Sequence, residues 1–138
     1  MNRAVRFAVA LPALLVAHSV GDHIVQTDHQ AARKAESWRA MAGHVVGYLA
    51  TAEATLHLVG AATGVRMSWR RRLLGHLVSG ATHAVIDRRW PVRRILRATG
   101  SAGFADLQTP INGMYQADQA LHHVCLLVAA LVIAGGPR

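Results

Sequence analysis

Residues 5–27 read VRFAVALPALLVAHSVGDHIVQT, and the way this stretch spaces its polar residues decides the fold. Phe7–Ala17 is unbroken apolar sequence, after which His18, Asp22 and Gln26 follow at intervals of four. On an α-helix, residues four apart lie one turn above another, so the three polar groups share one stripe of an otherwise apolar rod. The stretch begins like a secretory signal, with Arg3 and Arg6 leading the apolar run. His18 and Asp22 nevertheless stand where a small-residue cleavage motif belongs, so it reads as a retained first helix.

Three more apolar segments follow. Trp38–Thr63 comes after Ser37, a candidate N-cap; Trp69–Trp90 runs up to Pro91; Ala117–Ala134 runs into Gly135-Gly136-Pro137. None alternates with the period of two that a half-buried strand requires, and 98–113 reads as an irregular connection with room for one short helical turn. The longest uninterrupted apolar runs fall short of the ~20 residues of a membrane span. Segments one and two reach that length once a few inward-facing polar residues are allowed, as in membrane bundles. Gly43 and Gly47, one turn apart beside His44, form a small-xxx-small pattern for close helix approach. The expectation is an all-α protein with a single domain over 1–138. It is a compact, membrane-embedded bundle of about four hydrophobic helices at 5–27, 38–63, 69–90 and 117–134.

The 138 residues are 52% hydrophobic and carry a formal charge of +8, with 15 basic side chains, all but one of them Arg, against 7 carboxylates. That excess calls for an anionic partner, a phospholipid surface or a nucleic acid. Placement separates the two. The arginines gather at segment ends instead of striping a helix face, and aromatic residues for stacking are few, so a nucleic-acid binder ranks last. Arg70, Arg71, Arg72, Arg88, Arg89, Arg93 and Arg94 are expected to anchor the chain to anionic lipid. Two basic flanks on segment three conflict with simple alternation of four spans. With an apolar core of only Leu73–Ile86, this segment is expected not to cross fully, leaving the N-terminus and both Arg clusters cytoplasmic and the C-terminus outside. Cys125 is the only cysteine, which excludes an intramolecular disulfide and a Cys-based zinc site; it reads as a small core residue.

A histidine and an aspartate one helical turn apart recur three times: His18 with Asp22, His83 with Asp87, and Asp118 with His122 in reversed order. Segment two adds His44, with Tyr48 a turn beyond. Imidazole nitrogen and carboxylate oxygen form the ligand set that suits Zn, Mn or Fe in a helical bundle. A lone charge in a membrane segment costs ~2.5–3.5 kcal/mol on insertion scales, and a bound cation offsets that cost. The candidate ligands are His18, Asp22, His44, His83, Asp87, Asp118 and His122, holding one ion or two, with Gln26 and Gln119 as their hydrogen-bond partners. The bland alternative is a set of polar clamps that hold the helices in register in a non-enzymatic structural or partner-binding protein. His57, His76 and His123 read as surface or packing residues, and His23, Asp28 and His29, around the end of segment one, read as solvated loop residues ahead of the alternative that they reach the same cavity from its mouth.

AHSVGDHIVQTD at 17–28, GH at 43–44, THAVID at 82–87 and ADQALHH at 117–123, in that order, resemble the DUF3307 family of small bacterial membrane proteins. QTDHQ and DRRWP resemble its actinobacterial branch. The resemblance implies a helical protein of the bacterial cytoplasmic membrane and implies no particular activity. A fainter likeness to inner-membrane metal-dependent hydrolases implies an ion that activates water for attack on an ester or phosphoester. The chain departs from that pattern in having no consecutive Asp-rich motif.

Overall fold

The structure, a computed structural model, describes residues 2–135. Helix α1 (Arg3–Val20) starts at Asn2, whose side chain accepts from the Ala4 N–H, and runs on into a π-helical turn at Gly21–Val25. A Cβ on Gly21 would stand 3.3 Å from the Cα of Tyr48, so glycine here lets this turn lie close against α3 (Trp38–Thr63). The π turn, a feature that clusters at functional sites, is not visible in the apolar periodicity. Residues 28 and 29 are not loop: Thr27 and Gln30 form a reciprocal capping box that starts a short helix, α2 (Asp28–Arg33). Both residues are solvent-exposed all the same.

Helix α3 has the expected bounds, with the Ser37 side chain accepting from the Ala40 N–H. The third segment is corrected. Helix α4 (Trp69–Ile86) stops four residues short of Trp90, and a new helix, α5 (Trp90–Ala98), carries Pro91 in its first turn. Proline has no N–H to offer and a fixed φ, so it suits the start of a helix as well as the end of one. Between α4 and α5, Arg89 takes φ 62° and ψ −32°, and the Trp90 N–H donates to the Arg88 carbonyl at 2.7 Å. This is a γ-turn with positive φ, a strained conformation for a side chain with a Cβ. The 98–113 connection holds one 3-10 turn, Ala102–Asp106. Helix α6 (Gly113–Ala134) begins four residues before Ala117, because the Asn112 side chain caps it at the Tyr115 N–H. It ends at Gly135 (φ 88°); Gly136 and Pro137 lie outside the described residues.

The four long helices close into a ring, α1 beside α3, α3 beside α4, α4 beside α6 and α6 beside α1. Small residues allow the approach. A Cβ on Gly75 of α4 would fall 2.5 Å from Cγ1 of Ile133 on α6. Gly43 and Gly47 make room differently from a long-helix pair: their missing side chains face Gln30 of α2 and Val25 of the π turn. Leu14, Ala17, Ala52, Leu56, Leu126 and Ile133 fill one end of the bundle, while Ile86, Val92, Ala105 and Met114 form a second core beneath α5. Cys125 packs at the edge of that second core, half-buried. Three helices are long and apolar enough to cross a membrane: Arg3–Val25, Trp38–Thr63 and Gly113–Ala134. Helix α4 is not among them.

Candidate metal centre

Each wall of the ring sends polar groups to the same point. His18 comes from α1, Asp22 from the π turn, His44 from α3, His83 and Asp87 from α4 and its C-cap, and His122 from α6. All six are at most 4% exposed. Meanwhile Val16, Val46, Leu58, Leu77 and Val124 lie more than half exposed on the outer faces. Polar groups inside and apolar groups outside invert the usual pattern of a water-soluble protein and match that of membrane bundles.

The ring nitrogens converge through Nε2. His44 Nε2 and His83 Nε2 are 2.8 Å apart; each stands 3.3 Å from Asp22 Oδ1 and 3.2 Å from Asp87 Oδ2. His122 Nε2 lies 3.4 Å from the other oxygen of Asp87. His18 Nε2 is 3.7 Å from Asp22 Oδ2 and 3.2 Å from Gln119 Oε1. Two groups bring one donor atom per residue within 4.8 Å of every other: His18, His83 and His122, and Asp22, His83, Asp87 and His122. Burial alone would raise the Asp87 carboxyl. The hydrogen bonds from His122, His44 and His83 outweigh it and hold the group well below the usual carboxylate range.

Asp118 and the glutamines sit at the rim. Asp118 Oδ2 is 3.7 Å from His122 Nε2 and accepts from Gln119 at 3.4 Å; Gln26 donates to the backbone carbonyl of Asp22, not to its carboxylate. Sequence reasoning missed Lys34. Its Nζ lies 2.9 Å from Asp87 Oδ2 and 3.1 Å from His44 Nε2. The available signal was that it is the only lysine in a chain whose other fourteen basic residues are all arginine. Ser79 was missed as well: it hydrogen-bonds Tyr48 Oη at 2.5 Å, and the Tyr48 ring stacks on His83 at 4.2 Å between centroids. Ser79 stands one turn before His83 and so extends the Ser-His-Asp stripe of α4. Nδ1 of His18, His44 and His83 is buried and has no hydrogen-bond partner among the described residues.

A cavity of about 200 Å³ opens beside the cluster, walled by Asp22, Lys34, Asp87, Arg89, Tyr115 and Asp118 among others. His23 reaches its rim and contacts the Tyr115 hydroxyl at 2.8 Å. Among the described residues, none of the arginines hydrogen-bonds a side chain of the cluster, although Arg89 lines the cavity beside it. Arg70, Arg71, Arg89, Arg93 and Arg94 are exposed, whereas Arg72 pairs with Glu53 and Arg88 lies over the Trp38 ring, both half-buried. His76 also pairs with Glu53, at 2.9 Å, while His57 and His123 are exposed.

The architecture thus defines a class: an all-helical bundle with apolar outer faces and a buried imidazole–carboxylate centre. Within it, the chain belongs to the family described as protein of unknown function DUF3307, whose model matches residues 10–136, nearly the whole chain. No curated protein and no solved structure matches it.

Proposed function

We propose that this chain is a metalloprotein of the bacterial cytoplasmic membrane whose central cluster holds one divalent cation. The observation that carries the reading is a proton count. His44 Nε2 has four neighbours within 3.3 Å: Lys34 Nζ, His83 Nε2, Asp22 Oδ1 and Asp87 Oδ2. A ring nitrogen has either one proton or one lone pair, so it serves one of these contacts well and leaves the rest unmet. A cation at the convergence point would take up the His83 nitrogen and both carboxylates, leaving His44 Nε2, outside both ligand groups, to accept from Lys34. Two donor atoms on one ion at ~2.1 Å and a right angle stand ~3.0 Å apart, within the 2.8–3.4 Å range of the contacts that His44, His83 and His122 make with one another and with the two carboxylates.

Asp22, His83, Asp87 and His122 supply a mixed nitrogen–oxygen set suited to Zn, Mn or Fe. The alternative set with His18 also draws on His83 and His122, and each Nε2 has one lone pair, which argues for one ion, not two. A metal held there would supply activation of water for attack on an ester or phosphoester, and Asp118, outside both sets and on the cavity wall, would be the carboxylate to take the proton. The exposed arginines would meet anionic headgroups.

Lys34 favours a second reading. Its ammonium already neutralises Asp87, so the cluster would be an ion-paired clamp with no metal. Elemental analysis of the detergent-purified protein separates the two: the metal reading expects about one Zn, Mn or Fe per chain, and a folded, metal-free protein from metal-replete cells overturns it.

A further inference from the structure

Resting on the metal reading above, we infer that the cavity beside the cluster is a phosphate-binding site, with Arg89 as its anion-recognising residue. Three independent observations meet there. First, Arg89 is the only non-glycine residue with positive φ among the described residues, held in its γ-turn immediately after Asp87. Strain of this kind persists where the surroundings impose it, and it concentrates at ligand sites.

Second, Arg89 lines the cavity at the cluster and also a neighbouring one of about 350 Å³, which shares its Tyr115 and Asp118 walls. The guanidinium makes no hydrogen bond or ion pair with any described residue. Arg93, which lines the outer cavity, is by contrast tied to Asp106 at 3.0 Å. A planar fork of donors left unpaired over a cavity suits bidentate capture of a tetrahedral oxyanion.

Third, the charge balance of the inner cavity depends on the ion. Asp22, Asp87 and Asp118 face Lys34 and Arg89, three carboxylates against two basic chains, with His23 beside them. A divalent cation held by the carboxylates would add two positive charges to this wall. Loading would therefore make the cavity more attractive to an anion. A phosphate entering from the Arg89 side would meet the guanidinium first and would have Asp22 and Asp87, two of the residues that would hold the metal, at the inner end. The shared chemistry is a phosphate group, whether on a lipid headgroup or on a free phosphate or ester.

The test titrates inorganic phosphate into detergent-purified, metal-loaded wild type and Arg89→Gly, with metal content measured in the same samples. Glycine accepts the positive φ, so this variant relieves the turn while deleting the charge. Phosphate should bind the loaded wild type and bind Arg89→Gly roughly 10- to 100-fold more weakly at unchanged metal content, the weight of a charge-assisted hydrogen bond. Arg89→Lys should recover part of the loss. Equal binding by wild type and Arg89→Gly, or a loaded wild type that ignores phosphate, overturns the inference and leaves the metal reading intact; a protein that takes up no metal overturns both. Displacement of the bound phosphate by phosphatidic acid vesicles, and not by phosphatidylcholine vesicles, assigns the lipid source; displacement by neither assigns the free one.

Discussion

Lys34→Met separates the two readings of the cluster most sharply. The substitution keeps the length of the side chain and removes an ammonium 2.9 Å from Asp87 Oδ2 and 3.1 Å from His44 Nε2. Lys34 is 14% exposed and Asp87 3%, so solvent screens this pair little. In metal-free protein the variant takes an ammonium counter-charge away from a buried carboxylate. Breaking a buried pair from one side costs about 3–5 kcal/mol. For a chain of this size that corresponds to a fall in Tm of roughly 10–20 °C. With metal bound, Asp87 faces the ion, and the same substitution should cost under about 1 kcal/mol. Removing a competing cation should also tighten metal uptake. Thermal unfolding in detergent, followed by circular dichroism with chelator and with saturating Zn or Mn, gives both numbers. The metal-induced rise in Tm should be larger in Lys34→Met than in wild type. An equal fall in Tm with and without metal would make Lys34 the true counter-ion and the cluster a clamp.

Two further outcomes probe the packing and the charge. Gly75→Ala places a Cβ 2.5 Å from Ile133 Cγ1 and 3.2 Å from the Ala129 carbonyl, so α4 and α6 must part, at about 1–3 kcal/mol. Ile133→Ala in the same chain should remove the side-chain clash, and strict additivity of the two losses in a double-mutant cycle would refute the contact. Asp87 has its carboxyl depressed below the ordinary 3.8, so the stability it contributes is complete above that value and drains away as pH falls below about 4. Asp87→Asn should flatten that part of the acid limb in metal-free protein, and an unchanged limb would mean that Asp87 is not paired as described.

The long helices were legible because their apolar runs exceed anything a strand or loop would carry, and α3 falls on its expected bounds, Trp38–Thr63. The three His/Asp pairs were legible because a spacing of four survives any error in helix ends. Helix ends were less so. Pro91 was read as a stop when it opens α5, since proline fits either role and only the Arg89 turn decides between them. Thr27 and Gln30 spell a capping box, yet α2 is hard to read because its six residues, four polar and two alanine, carry no apolar period. The same difficulty hid Lys34, which α2 delivers to the cluster as its C-cap. Asp118 shares the helical spacing of the other pairs but sits at the rim, since register along α6 fixes depth, which spacing alone does not.

The central claim is that these groups hold a cation, and metal content answers it directly. Elemental analysis of wild type should return about one Zn, Mn or Fe per chain, lost in a folded His83→Ala/Asp87→Ala variant purified alongside. The same metal content in both proteins, or none in either, would contradict the account and leave the buried pairs as helix clamps.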